Sequence, residues 1–504
     1  MCRPPCFDAC PGQTCLPVFN RSRPVWLTLT IIGALAGTSF AADLSPAKQR
    51  AVAWVDAHAE RTQEVSRQIW AHAEPAFQEH KSSKLLAAWL RDAGFAVETG
   101  VADMPTAFVA SHGQGEPVIA FLAEYDALPG LSQQARPTQD PLVAGGPGHG
   151  CGHNLLGTAS VAAALAVKAA IDEAGLNGTI RVYGTPAEEG GSGKVYMARA
   201  GLFDGVAAVL SWHPGTATHA SANSNLAVKR ARFRFHGLSA HAAGAPQKAR
   251  SALDAVELMN VGTNFLREHM PSDGRIHYVI TDGGRRPNVV PDRAEVWYYA
   301  RAPKMAVAQS IFGRLVEIAR GAALMTRTRL EVHSETGTYE LLPNRPLAEL
   351  IDANLHRIGP PKFDARDRRF ARSILATLVE ADVLDAMPEP VLNAAIGPIR
   401  TERSMGSTDV GDVSWMVPTG ELRVTANANA APGHSWCFTA TAGSPIGDKA
   451  VITAAKVLAA SAVDLMSDPA KLRTATEAFR SATADFKYVC RIPAGQAPPD
   501  RLDD

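Results

Sequence analysis

Three short apolar runs, Pro117 to Ala123, Thr179 to Gly184 and Val206 to Trp212, constrain the fold of this chain more than any other feature. The first two are separated by a long Ala-rich stretch, Gly157 to Ala174, which reads as a helix. Strand-type runs without polar alternation suit strands covered on both faces, and their interleaving with helices predicts an α/β architecture with a central, mostly parallel sheet. Ligands of such sheets sit beyond the carboxyl ends of the strands. The residues that follow the runs therefore matter most: Thr185-Pro186-Ala187-Glu188-Glu189-Gly190 after the second, and Trp212-His213-Pro214 at the end of the third.

The densest chemical constellation is Gly148-His149-Gly150-Cys151-Gly152-His153-Asn154, with a thiol and an imidazole separated by one glycine. Thiolate and imidazole suit Zn²⁺ and similar ions, although the motif taken alone also suits an ordinary Gly-rich turn. Glu188 and Glu189 could equally be solvated loop charges. Their position after an apolar strand and before Gly190-Gly191-Ser192-Gly193, which lets backbone approach a ligand closely, favours one carboxylate coordinating while the other handles protons. Two further histidines, His241 in Gly237-Leu238-Ser239-Ala240-His241 and His434 in Pro432-Gly433-His434-Ser435-Trp436, are not distinguished by spacing from ordinary loop histidines.

A chain of 504 residues exceeds one ordinary core at about 150 residues per domain. Residues 46–93 have a helical pattern. Between about Thr216 and Ser334 the order reads strand Leu226 to Phe235, helix Ser251 to His269, strands Ile276 to Thr281 and Ala294 to Ala300, helix Met305 to Leu324, strand Arg329 to His333. This is βαββαβ, the split arrangement of a ferredoxin-like domain. Polar alternation in the first of these strands fits a sheet with one solvated face. From Glu340 to Cys490 the α/β texture returns and includes an amphipathic helix, Asp448 to Met466. The expected division is a catalytic domain in two parts, 42–215 and 335–490, an inserted satellite domain over 216–334, and a Pro-rich tail over 491–504.

Several ordered stretches together resemble the aminoacylase/carboxypeptidase G family of dinuclear metallohydrolases, in the amidohydrolase branch with hippurate hydrolase and the auxin-conjugate hydrolases. They are Glu124-Tyr125-Asp126-Ala127-Leu128-Pro129, Gly148 to Asn154, Thr185 to Gly190, His213-Pro214, Ser239-Ala240-His241-Ala242-Ala243, Pro287-Asn288-Val289-Val290-Pro291-Asp292 and Ser407-Thr408-Asp409-Val410-Gly411-Asp412. The resemblance implies a zinc-peptidase-like catalytic domain and a satellite that serves dimerisation. It makes Cys151, His153, Glu189, His213 and His434 ligands of two divalent ions (Zn, Mn or Co), Glu188 the general base, and Asp126 a support behind the ligands. It also implies that His241 reaches into the active site of a dimer partner to polarise the substrate carbonyl, while Asn288 helps hold the substrate. This branch has Cys151 where others in the wider family have a bridging Asp. The implied activity is amide hydrolysis of N-acyl amino acids, with aminobenzoyl-glutamate leading. A dipeptidase on the same scaffold and a silent binding protein are the alternatives, and intact Glu188 with all five ligands argues against the latter. The resemblance leaves open a homodimer or a heteromer with a related subunit.

Lys plus Arg equals Asp plus Glu at 50 each, so the chain lacks the basic footprint that counterion displacement from phosphates needs, and nucleic acid is not an expected partner. Arg21 and Arg23 precede the apolar run Val25 to Gly37 and then Ser39-Phe40-Ala41, the pattern of a secretory signal cleaved after Ala41. As a membrane anchor the run falls short of the ~20 residues a spanning helix needs. Export to the periplasm or medium is expected. Cys2, Cys6, Cys10 and Cys15 lie upstream, in a Pro-rich leader read as annexed to the gene, with initiation nearer Val18. The exported chain keeps Cys151, Cys437 and Cys490, so at most one disulfide forms and no disulfide framework holds the fold.

Overall fold

The computed structural model describes residues 44–387 and 390–502. The expected leader and signal segment, 1–41, lies outside them. The helical opening divides into α1 (Pro46–Ala57), α2 (Ala59–His72) and α3 (His80–Asp92). Ser45 caps α1 by accepting from the Lys48 N–H, and Pro46 occupies its first turn, where no N–H is needed. Then follow β1 (Ala96–Thr99), β2 (Phe108–Gln114), β3 (Val118–Ala123), α4 (His153–Ala174), β4 (Gly178–Gly184), α5 (Gly193–Arg199), β5 (Ala208–Gly215) and β6 (His219–Ser221). Next come β7 (Ala227–His236), α6 (Ala252–Leu266), β8 (Arg275–Asp282), β9 (Arg293–Ala302), α7 (Met305–Thr326) and β10 (Arg329–Thr338). The chain closes with α8 (Arg345–Ile358), α9 (Ala365–Leu375), α10 (Ala381–Ala386), α11 (Val410–Ser414), β11 (Thr419–Thr425), α12 (Trp436–Ala442), α13 (Pro445–Ser467) and α14 (Pro469–Ala482).

One sheet has seven strands in the order β1-β2-β4-β3-β5-β11-β6. Its centre, β4-β3-β5-β11, is parallel, and the strands at both edges run antiparallel. The three apolar runs are thus adjacent central strands, as their lack of alternation requires. β11 joins from more than two hundred residues away; its alternating Glu421 and Arg423 hide it among loops in the sequence. Helices α4 and α13 pack on each other, with α1 outside both. Here the expectation of an amphipathic helix at Asp448 to Met466 is corrected: α13 is buried around nearly its whole circumference. A long, predominantly apolar helix belongs in a core, and α13 lies between α4, α1, α2 and α8. Gly157 lets α4 approach β3, since a Cβ there would stand 2.4 Å from the Glu124 carbonyl oxygen.

The second sheet has four antiparallel strands in the order β10-β7-β9-β8, and α6 and α7 cover one face. It has its own core, including Phe233, Phe235, Met259, Val296, Tyr298 and Leu315. Along β7 the buried Ala231, Phe233 and Phe235 alternate with the half-exposed Arg232, Arg234 and His236, as the sequence suggests. The first half of the strand departs from this pattern. Lys229 and Arg230 are buried there, and Arg230 donates to the Gly190 carbonyl of the loop after β4.

The described part of the tail lies along α5. Ile492 is buried, Arg199 donates to the Gln496 carbonyl at 2.8 Å, and the Tyr196 hydroxyl donates to Ala497 O at 3.5 Å. Cys151, Cys437 and Cys490 are free thiols.

Candidate active site

Three central strands deliver their ends to one place. β3 runs into Glu124-Tyr125-Asp126, β4 into the loop Thr185 to Gly190, and β5 contains His213 near its end. Cys151 stands just ahead of α4 and His153 is that helix's first residue. The turn between them needs Gly152, which has φ 78° and where a Cβ would meet Pro214 Cγ at 2.8 Å. His434 precedes α12, and its backbone N–H donates to Gly150 O at 3.0 Å, tying it to the cysteine loop.

The five expected ligands and Glu188 are brought together. Cys151, His153 and His213 form one group, Cys151, Glu189 and His434 a second, and His153, Glu188 and Glu189 a third, each with ligand-capable atoms within 4.8 Å of one another. Cys151 Sγ is 3.2 Å from His213 Nε2, and His434 Nε2 is 3.3 Å from Glu189 Oε1. Asp126 fixes two of the expected ligands at once. One oxygen meets His153 Nδ1 at 2.8 Å and the other accepts the Glu189 N–H at 2.8 Å. Nδ1 of His213 is 2.7 Å from the Pro214 carbonyl, so it carries the proton and leaves Nε2 free to coordinate. His149, by contrast, is packing: it is buried, Nε2 meets the Ile69 carbonyl at 3.0 Å, and burial with His153 nearby lowers its pKa to about 3.

The loop that carries Glu188 and Glu189 is held under strain. Ala187 and Ser192 take left-handed backbone angles, φ 59° and 62°, unusual for residues with a Cβ. The Ala187 N–H donates to Glu79 Oε1 at 2.8 Å, and desolvation with Asp126 nearby pushes the Glu79 carboxyl up to about 8.

Below the ligands lies a buried ion network whose role is not visible in the sequence. Lys194 Nζ sits 2.8 Å from Glu124 and 2.7 Å from Asp409, and the other Glu124 oxygen is 3.4 Å from His153 Nε2. Glu124 and Asp409 belong to stretches that carry the resemblance, but only their meeting with Lys194 in space gives them a function. A fully buried ammonium between two carboxylates holds Glu124 beside the ligand cluster.

Electrostatics supply the fit test for a metal. Nε2 of His153 and Oε1 of Glu189 are buried and make no hydrogen bond, meeting only Glu124 at 3.4 Å and His434 at 3.3 Å as ion-pair contacts, an unfavourable state that a cation relieves. Desolvation, with Glu189, Glu124 and Asp409 close by, raises the Glu188 pKa well above the ordinary carboxyl range. Desolvation also raises Glu189 and, with Glu189 beside it, the Cys151 thiol, while desolvation and the charge of Arg423 hold His213 neutral. Soft and borderline donors that await deprotonation, converging with orphaned lone pairs, fit a divalent metal centre. Metal uptake is therefore expected to release protons and to tighten as pH rises, because the ion must displace protons from Cys151 and Glu189, whose hold on them burial strengthens. Calorimetric Zn²⁺ titration in two buffers of different ionisation enthalpy measures this; affinity independent of pH with no protons released would contradict it.

The cluster opens into a cavity of about 830 Å³, bounded on one side by the strand ends and on the other by Arg230, Tyr299 and Arg301 of the second sheet. His241 and Asn288 lie elsewhere on that sheet's connections. His241 is exposed and Nδ1 accepts from the Ala243 and Gly244 N–H groups at 3.2 and 3.0 Å, while Asn288 O accepts from Ala242 N at 3.0 Å. Neither lines the cavity of its own chain.

Comparison with known proteins follows the same outline. Residues 120–494 match the model of peptidase family M20/M25/M40. The chain is 42% identical over 466 residues to one of the subunits of Escherichia coli p-aminobenzoyl-glutamate hydrolase, covering 88% of this chain and 97% of the relative. It is 32% identical to the Xaa-Arg dipeptidase of Mus musculus, over 88% of this chain and 94% of that one. A solved Bacillus subtilis protein described as a dinuclear metal binding peptidase superposes with a TM-score of 0.56 at 19% identity, over 82% of this chain and 99% of its own, which bears on the fold alone. The family match takes in the strand ends, the cavity and the second sheet, and the chain belongs to peptidase family M20/M25/M40 as a metal-dependent amidohydrolase.

Proposed function

We propose that this enzyme hydrolyses the amide bond of N-acyl amino acids, with aminobenzoyl-glutamate as the leading substrate, releasing p-aminobenzoate and glutamate. The observation that carries the reading is the convergence of Cys151, His153, Glu189, His213 and His434 with Glu188 in one cavity. The relative whose name specifies aminobenzoyl-glutamate, alike over nearly its whole length, supports the substrate. The five ligands would hold two divalent ions, Zn²⁺, Mn²⁺ or Co²⁺, between the ends of β3, β4 and β5. When bound, such ions acidify water and polarise an amide carbonyl. Glu188 takes the proton from the attacking water and returns it to the leaving nitrogen, so that amide and water become carboxylic acid and amine. Its raised pKa suits a proton carrier. Asp126 keeps His153 and the Glu189 loop in register throughout.

We infer that the four-stranded sheet with α6 and α7 is an inserted ferredoxin-like satellite over about 216–334, and that it dimerises. Element order and sheet order support it, as do exposed Tyr278, Val279 and Ile280 on the edge strand β8. In such a dimer His241 of one copy completes the site of the other by donating to the developing oxyanion, with Asn288 beside it holding the substrate. A heteromer with a related chain is the second arrangement, favoured by that relative's being named as a subunit.

A screen of metal-loaded protein against N-acyl amino acids and dipeptides, with metal analysis of the same sample, tests the activity; preference for dipeptides throughout would replace this reading with the dipeptidase. The His241 role has its own test. His241→Ala is expected to keep its metal and to lose roughly the 10²–10³-fold that one oxyanion donor contributes. Mixed with inactive Glu188→Gln protein, it should recover about a quarter of wild-type activity, since half of randomly re-formed dimers are mixed and each has one site with both residues intact. No recovery after verified subunit exchange means that His241 does not act across subunits.

A further inference from the structure

The connector between α2 and α3, residues 73–79, touches both halves of the ligand scaffold without contributing a ligand. At its start the Glu74 carbonyl accepts the Ala127 N–H at 2.8 Å, one residue beyond Asp126, and Pro75 pairs with Ala127 in a short parallel bridge. The Glu74 carboxylate satisfies the first turn of α3, accepting from the Lys81 and Ser82 N–H groups at 2.9 Å and from the Ser82 hydroxyl at 2.8 Å. In the middle, Phe77 lies against the loop after β4, where a Cβ on Gly191 would stand 2.5 Å from its ring. At the end, Glu79 Oε1 accepts the Ala187 N–H at 2.8 Å. The connector is therefore fixed at once to α3, to the Asp126 segment and to the loop that carries Glu188 and Glu189.

Ala187 is fully buried at φ 59°, a conformation that a residue with a Cβ keeps only where its surroundings over-determine it. The Glu79 carboxyl is the group that grips its amide, and without an acceptor that buried N–H would go unpaired. A change in the Ala187 backbone turns the next peptide, and with it the direction in which Glu188 projects. Glu189 has its own anchor, since Asp126 accepts its N–H at 2.8 Å. Glu79 is also fully buried, and no basic side chain forms an ion pair with it among the described residues. A carboxylate in that position is costly as an anion. Burial, with Asp126 close by, keeps the proton on Glu79 up to about pH 8, and a neutral carboxyl accepts an N–H as an amide oxygen does.

We infer that Glu79 is a positioning residue for Glu188: through the Ala187 N–H it holds the left-handed turn that aims the Glu188 carboxyl at the attacking water, and the α2–α3 connector braces that turn against the Asp126 segment. The inference rests on the amide-hydrolysis reading above, in which Glu188 carries the proton. Glu79 touches neither ligand nor substrate, and its effect falls on the step in which Glu188 acts. Binding of substrate and metal depends on other residues, so the loss of this brace lowers turnover and leaves both in place.

The test separates the acceptor from the bulk. Glu79→Gln keeps the acceptor and the neutral charge; Glu79→Leu keeps the volume and removes the acceptor. With aminobenzoyl-glutamate and metal-loaded protein, Glu79→Gln is expected to stay within about 3-fold of wild-type kcat. Glu79→Leu should lose about 10²-fold in kcat, the scale of a misplacement of about 1 Å, with KM within about 3-fold of wild type and metal content unchanged. Hydrogen–deuterium exchange of a peptide spanning Ala187 gives a readout independent of turnover. The groups that hold Ala187 all belong to the chain, so wild type should protect this peptide both when loaded with Zn²⁺ and after chelation. Glu79→Gln should protect it equally, and Glu79→Leu should exchange there at least about 10-fold faster. Full kcat in Glu79→Leu, or a Gln variant as impaired as the Leu variant, overturns the positioning role. If thermal unfolding shows that Glu79→Leu does not fold, wild type decides alone: an unprotected Ala187 peptide after chelation overturns the brace. Absence of hydrolysis on every N-acyl amino acid overturns the proposed function instead, and the exchange measurements still decide whether Glu79 holds the loop.

Discussion

Glu188→Gln is expected to retain wild-type metal content and to lose turnover by about 10²–10⁴-fold, the usual share of a positioned general acid–base group. The amide keeps the shape of the carboxyl but cannot accept the proton of water. Glu188 stands among Glu189, Glu124 and Asp409, and desolvation together with these charges raises its pKa well above the ordinary carboxyl range. Its neighbour differs in being tied by its backbone to Asp126 and by its side chain to His434, an arrangement that suits a ligand. Elemental analysis beside a hydrolysis assay separates the two assignments. Parallel loss of metal and activity would move Glu188 into the ligand set.

Cys151→Ser is expected to abolish stoichiometric metal binding and, with it, activity. Cys151 is shared by two of the three ligand-capable groups, so its loss weakens both positions rather than one. A hydroxyl is a far poorer ligand than thiolate for a soft or borderline ion, while the change in volume is small enough to leave the surrounding loop in place. Gly150 and Gly152, which shape that loop, are unaffected by the substitution. Near-stoichiometric metal in the purified variant defeats the assignment; circular dichroism and the unfolding midpoint show whether the fold persists.

These two residues illustrate how differently local and distant relations register in a sequence. The strand-type runs before Glu124, Glu188 and His213 are conspicuous because β3, β5 and the last three residues of β4 are buried on both faces, and burial there favours apolar residues at nearly every position. Cys151 and His153 are two residues apart, close enough for a motif to be visible. The order strand, helix, two strands, helix, strand between β7 and β10 is legible for the same reason: each element has its own periodicity.

Tertiary structure decided the rest. The burial of α13 around nearly its whole circumference depends on helices packed from distant parts of the chain, so polar residues such as Asp448 and Asp464 proved to be covered. Lys194 acquires meaning only from Glu124, seventy residues earlier, and Asp409, more than two hundred later. Arg230 and Arg232 look alike in an alternating run; Arg232 meets carboxylates from neighbouring strands, whereas Arg230 lines the cavity with no carboxylate partner among the described residues. Periodicity and motif spacing are local quantities, set by the backbone within a few residues. Charge pairing and cavity shape are set by which strands become neighbours, and the sequence encodes that through the sum of many contacts, not through any single stretch.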